Sequence, residues 1–278
     1  MDVIAGEGAA EGYEEVTLAP LPGEPLGARG RGVTVVRRRS ARTTRRAVLY
    51  LLCLRDAFVP GDLARWYTDR GFHFFVADLR PLGQPRRPDP GRLAEALDEH
   101  FACLDIIAAQ VRSTDRVETL VVCAHAEGTL IAALWCHARR GSMPADALIL
   151  ASPEFGSAGS WLARVADGGL NTLARRQAPL PAAARSRVRR GLDIGCPVLV
   201  ICPPAGWDAA GCTWGLLAAL TPHSAPTLRL GAHVTWLKLA GGLPGQALPD
   251  GPHRKRFFDE LGRWLGAYLS GQVRDQLL

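Results

Sequence analysis

The run Ala47-Val48-Leu49-Tyr50-Leu51-Leu52-Cys53-Leu54 constrains this chain most, because it carries no charge and no polar alternation. A strand with one wet face alternates apolar and polar residues. A short continuous apolar run instead suits a strand covered on both faces, as in a parallel sheet between helices. Phe72 to Ala77, Thr119 to Cys123, Ala147 to Ala151, Cys196 to Cys202 and His233 to Leu239 read as further strands. Helical segments lie between them. Pro60 to Arg70 has proline near its start and Gly71 at its end. Gly91 to Arg112 shows helical spacing through Leu93, Leu97, Phe101, Leu104 and Ile107, and Glu127 to Arg140 follows a strand directly. Gly251 to Leu269 places Phe257, Phe258, Leu261, Trp264, Leu265 and Tyr268 on one side. Strands alternating with helices imply right-handed crossovers, hence an α/β fold with a mostly parallel central sheet and helices on both faces.

Ahead of this alternation, Glu15 to Leu18 and Gly32 to Arg37 read as two short strands separated by a Pro/Gly-rich stretch. Residues 1–14 are acidic and rich in Gly and Ala, so a disordered tail is expected there and a single domain over 15–278. The 278 residues suffice for one large domain. No apolar run reaches the ~18 residues of a membrane span. The first residues carry Asp2, Glu7, Glu11, Glu14 and Glu15 in place of a basic start and apolar stretch, so a cytoplasmic location and no membrane contact are expected.

The seven cysteines are Cys53, Cys103, Cys123, Cys136, Cys196, Cys202 and Cys212. None is spaced as a zinc site or a C-x-x-C pair, so buried free thiols and no metal are expected. The net charge is +6, and Lys238 and Lys255 are the only lysines. The densest basic stretch, Arg37 to Arg46, has no interleaved aromatics for base stacking. A solvated edge hairpin is expected there, and no nucleic-acid partner.

The most informative segment for chemistry is Leu120-Val121-Val122-Cys123-Ala124-His125-Ala126-Glu127-Gly128-Thr129. A buried strand ends, the chain turns within a few small residues and a helix begins, which is the setting of a G-x-S-x-G nucleophile elbow. Ala124 and Gly128 meet the need for small residues on either side of the turn. The central position should expose a nucleophilic atom, and Ala126 has only a methyl group.

From about Arg46 to Leu269 the chain resembles the actinobacterial α/β-hydrolases of the serine aminopeptidase and monoacylglycerol lipase type. Ala47 to Cys53 is similar to that family's third strand, and Phe72 to Gly83 (FHFFVADLRPLG) to its fourth strand and following loop. CAHAEGT is similar to its G-H-S-x-G-G elbow, and Gly231 to Leu269 to its last strand and helix. The resemblance implies an α/β-hydrolase fold with a lid, here short and placed at about 153–195. It also implies a catalytic triad that this chain lacks. The His-Gly beside the oxyanion hole is Leu52-Cys53, the elbow serine is Ala126, and the Leu-His-Asp phrase is Leu243-Pro244-Gly245. The only carboxylate in the loop matching the triad acid is Asp208. Arginine and alanine excess with few lysines fits a GC-rich, actinobacterial genome.

Loss of nucleophile and base together excludes an ordinary serine hydrolase. Three side chains remain as candidate acids or bases. His125 occupies a position where the resembled family commonly has a loop-supporting histidine. Glu127 begins a helix, where a carboxylate also complements the helix dipole. Asp56 follows the altered oxyanion strand, and under a lid its pKa would rise and make it a general acid. Leu52, Cys53, Ala126, Trp161, Trp207 and Pro244 are the expected walls of an apolar pocket. The expected function is a cofactor-free cyclisation, pericyclic or lyase-type step on an apolar carbonyl-bearing small molecule in actinobacterial secondary metabolism. The alternative is a non-catalytic pseudoenzyme that binds a ligand or a partner, a second copy of the chain included.

Overall fold

The structure is a computed structural model, described here over residues 12–18, 33–52, 61–78, 97–125, 127–151, 192–202, 234–238 and 252–269. Its elements are β1 (Tyr13–Leu18), β2 (Val33–Arg38), β3 (Arg46–Leu52), α1 (Gly61–Asp69), β4 (His73–Asp78), α2 (Leu97–Thr114), β5 (Thr119–His125), α3 (Glu127–Ala138), β6 (Ala147–Ala151), β7 (Val198–Cys202), β8 (Val234–Lys238) and α4 (Pro252–Leu269). The strands form one sheet in the order β1-β2-β4-β3-β5-β6-β7-β8. The six strands from β4 to β8 in that order are parallel, whereas β1 and β2 pair antiparallel.

The apolar strands are covered on both faces, as their composition requires. Leu49, Leu51, Phe75, Val122, Leu148 and Val200 point into one core layer with α2 and α3, which contribute Phe101, Leu104, Ile107, Leu134 and Trp135. Their neighbours Val48, Tyr50, Phe74, Val121, Cys123 and Ile149 point the other way, against Leu63, Trp66 and Tyr67 of α1 and Phe257, Leu261 and Trp264 of α4. Successive strand residues face opposite sides of a sheet, so a strand inside two layers has no position left for a polar residue. Across the faces, helices are tied by specific bonds. Asp105 of α2 accepts from the Trp135 indole at 2.8 Å and from Arg139 at 2.7 Å. On the other side, Trp66 stacks on Phe258 at 5.3 Å, and Arg254 pairs with Asp62.

Helix α1 ends in a Schellman motif. Gly71, at φ +81°, donates to the Thr68 carbonyl and Phe72 to that of Tyr67, both at 3.1 Å. The rings of Tyr67 and Phe72 meet edge to face at 5.8 Å, supplying the apolar contact that accompanies this cap. The loop after β2 completes it: the Ser40 hydroxyl donates to Thr68 O at 2.7 Å and the Thr44 hydroxyl to Gly71 O at 2.6 Å.

Several boundaries differ from the sequence expectation. Of Gly12, Tyr13 and Glu14, assigned above to a disordered tail, Tyr13 and Glu14 belong to β1 and Gly12 forms the turn before it; residues 1–11 lie outside the described residues. The cause is charge pairing across the strands, since Glu14 is the register partner of Arg37 and accepts from it at 2.7 Å and from Arg39 at 3.0 Å. The basic run is solvated, as expected, at Arg39, Arg42, Arg45 and Arg46, but not at Arg37. Strand β2 lies between β1 and β4, and the Arg37 side chain is only 9% exposed, held also by Asp115 at 2.8 Å. Strand β7 starts at Val198, after Pro197, not at Cys196. Helix α2 is described from Leu97, so the expected start at Gly91 lies outside the described residues, as do residues 153–191 of the lid expected at about 153–195.

Candidate active site

Parallel strands deliver their carboxyl ends to one edge of the sheet, and in open α/β folds ligands bind there. In register, that edge here is formed by Leu52, Asp78, His125, Ala151 and Cys202. Helices α1, α3 and α4 begin after β3, β5 and β8, so their amino ends face the same pole. Partial positive charge at helix amino ends favours negative charge developing near them.

On this edge β5 is followed almost at once by α3. The strand ends at His125, the helix starts at Glu127, and a single residue, Ala126, stands between them. Such a connection demands that helix and sheet nearly touch. A Cβ built on Gly128 would meet Leu51 O at 3.4 Å, Leu51 Cβ at 3.7 Å and Ala124 Cβ at 3.9 Å. Position 128 therefore has room for no more than a methyl group against β3, and Ala124 is small for the same reason. The strand and the helix that flank a nucleophile elbow are present, on either side of the position where the sequence places an alanine.

His125 is 1% exposed and Thr129, in the first turn of α3, is fully buried. His125 shares its face of the sheet with Cys123, two residues earlier on β5. Below it lies a buried polar layer. Tyr50 is the register partner of Cys123, and both belong to the core layer that includes Tyr67 of α1. Burial pushes the Cys123 thiol up to about 12, slightly offset by its contact with the Tyr67 hydroxyl. Cys123 is thus a neutral thiol at physiological pH and no nucleophile. Among the described residues, no cluster of three His, Cys, Asp or Glu side chains is arranged to hold a metal.

Of the residues singled out from sequence, His125 is placed with its side chain at this edge. Leu52 ends β3, and Glu127 opens α3. Cys53, Asp56, Ala126, Trp161, Trp207 and Pro244 lie outside the described residues, as does Asp208. Asp78, the register partner of Leu52, is a carboxylate residue of this edge that the sequence reading passed over. Its position as the first charged residue after an apolar run was the available signal.

A family model described as serine aminopeptidase, S33, matches residues 59–191, slightly less than half of the chain. No curated protein matches. Solved structures do. Esterase 2 of Thermogutta terrifontis, phosphoramylated by tabun, is 14% identical, with a TM-score of 0.58 over 92% of this chain and 94% of that one. Est1E of Butyrivibrio proteoclasticus is 10% identical, with a TM-score of 0.54 over 88% and 98%. The acylaminoacyl peptidase of Pyrococcus horikoshii is 12% identical, with a TM-score of 0.56 over 92% of this chain and 41% of that one. The fold is therefore the α/β-hydrolase fold. Identities this low speak to fold alone. No helix among the described residues is long and apolar enough to cross a membrane.

Proposed function

We propose that this chain is a diverged relative of the serine aminopeptidase-type α/β-hydrolases that no longer hydrolyses through a serine and instead handles an apolar, carbonyl-bearing small molecule. The observation that carries this reading is the alanine at position 126, the one residue between the end of β5 and the start of α3. Acyl transfer by this fold needs a nucleophilic atom at that point and a base within reach. Ala126 supplies no such atom, and Pro244 stands where the resembled family has its histidine.

Cyclisation, pericyclic and lyase-type steps need no acyl-enzyme. They need a shaped dry site that holds the substrate near its reactive conformer, with a few oriented hydrogen bonds. Replacing serine and histidine by alanine and proline removes polar groups from such a site and makes it more apolar. In this reading Asp56 is the proton donor, because it follows β3 closely in sequence, beside the altered oxyanion segment. Glu127 complements the α3 dipole, and the closely buried His125 supports the turn. Leu52, Cys53, Trp161, Trp207 and Pro244 are the proposed apolar walls. The arginine-rich, lysine-poor composition fits a step in actinobacterial secondary metabolism.

The test is active-site labelling. The purified protein is expected to take up no fluorophosphonate probe and to show no turnover of nitrophenyl esters or aminoacyl anilides above buffer. Ala126→Ser alone is expected to leave both results unchanged, because the base is missing as well. Stoichiometric labelling of the wild-type chain would overturn the reading.

A further inference from the structure

At the opposite, amino-terminal pole of the sheet the end of α3 interlocks with the segment leading into β7. Asp193 N–H donates to His137 Nδ1 at 2.9 Å, and Arg140 pairs with the Asp193 carboxylate at 3.4 Å. A Cβ on Gly195 would meet Arg140 O at 3.8 Å and Met143 Cγ at 4.0 Å, so residues 193–196 lie against the turn that follows α3. Just beneath these contacts are two free cysteines, Cys136 and Cys196, exposed by 2% and 4% and members of the same core layer. They flank contacts already fixed in register, Cys136 beside His137 and Cys196 beside Gly195, so the two backbones are held close together.

We propose that Cys136 and Cys196 are a disulfide-forming pair, closed by exchange with a low-molecular-weight disulfide such as oxidised glutathione. One cysteine, as thiolate, attacks the glutathione disulfide; a protein–glutathione disulfide forms and one glutathione thiolate leaves. The other cysteine then loses its proton and attacks the protein sulfur of that mixed disulfide, releasing the second glutathione. The protein loses two electrons and two protons, and the reagent is reduced to two thiols. The covering contacts are surface hydrogen bonds and an exposed ion pair, which break in local opening at far lower cost than global unfolding. The Cys196 thiol beside it, and then burial, hold the Cys136 thiol well above the ordinary cysteine range. Closure is therefore slow at neutral pH and accelerates as thiolate becomes available.

The native full-length protein is incubated with oxidised glutathione, quenched in acid, unfolded and alkylated. The expected result is a species that carries two fewer alkyl groups and, apart from their mass, is about 2 Da lighter, with a peptide map joining Cys136 to Cys196 and full reversal by dithiothreitol. Its rate of formation is expected to rise roughly tenfold per pH unit from neutrality. Cys136→Ala and Cys196→Ala should each abolish the lighter species. The proposal is overturned if both cysteines remain alkylatable, if either is found joined to a different cysteine, or if glutathione adducts accumulate without closing.

Discussion

At the scale of single residues, the position that fixes the site's frame is Gly128. Its small size suits the close approach of α3 to β3, where only one residue connects β5 to the helix. The closest distance, 3.4 Å to Leu51 O, is still ordinary contact for one methyl group. Gly128→Ala is therefore expected to fold with unchanged or slightly raised stability, since alanine gains ~1 kcal/mol over glycine within a helix. Gly128→Val adds two further carbons against Leu51 and Ala124, and overpacking of this kind costs ~1–3 kcal/mol. Urea unfolding of both variants measures the difference. Equal stability of the two would mean that the approach of α3 to β3 is looser than described. Small residues at 124, 126 and 128 were readable from sequence because steric demand at a strand-to-helix turn leaves few choices.

At the scale of elements, the loop after β2 joins three of them. It caps α1 through Ser40 and Thr44 and receives His73 at the start of β4, where Ser40 N–H donates to His73 Nδ1 at 3.2 Å. An acceptor at Nδ1 requires the neutral imidazole. Burial, the largest cause, lowers the His73 pKa from its ordinary value; Arg39 and Arg37 act in the same direction, while Asp115 and the Thr44 backbone oppose them. The folded state therefore binds fewer protons at this site than the unfolded chain just below the ordinary histidine pKa of about 6.5. Stability contributed here is full above that value and is lost as pH falls through it. The urea midpoint of the wild type is expected to drop more between pH 7.5 and 5.5 than that of His73→Gln, whose side chain can accept the same bond and does not titrate. Identical pH slopes would remove His73 from this role. The cap offers a second test: Gly71→Ala forces a Cβ into φ +81° and is expected to cost ~1–2 kcal/mol, read from the thermal midpoint. The strands and helices were legible before the structure because a sheet with two covered faces leaves a simple apolar signature. The pairing of Arg37 with Glu14 and Asp115 was not, because these partners are far apart in sequence and only the strand register brings them together.

At the scale of the whole molecule, the fold separates stability from chemistry. The amino-terminal pole is bound together by ion pairs and caps, among them Arg37–Asp115, Arg112–Asp146 and the Tyr268 hydroxyl on Asp146 O. The carboxyl-terminal edge presents strand ends and helix amino ends to whatever the intervening loops enclose. The fold could be read from local pattern, whereas the candidate site could be read only as differences from the triad of a family the sequence resembles, and such a difference does not by itself say what chemistry stands in its place. The proposed reading requires a ligand-sized apolar space above Ala126, and that requirement can be tested without knowing the natural substrate. Ala126→Phe would fill such a space from its floor, and Asp56→Asn would remove the proposed proton donor while keeping its shape. A panel of apolar ketones and lactones is screened by thermal shift against the wild type, and any compound that raises the midpoint is carried to both variants. The shift is expected to vanish in Ala126→Phe and to persist in Asp56→Asn. If a panel compound is also converted, conversion is expected to fall by about 10²-fold or more in Asp56→Asn, the scale of a lost general acid. A shift that persists in Ala126→Phe would place binding elsewhere on the molecule. Undiminished conversion in Asp56→Asn would leave Glu127 or Asp78 as the acid to be tested next. Binding lost in Ala126→Phe, with no conversion of any bound compound by the wild type, would favour a ligand-binding protein over an enzyme. In that case the alanine at the elbow marks a site from which catalysis has gone and recognition remains.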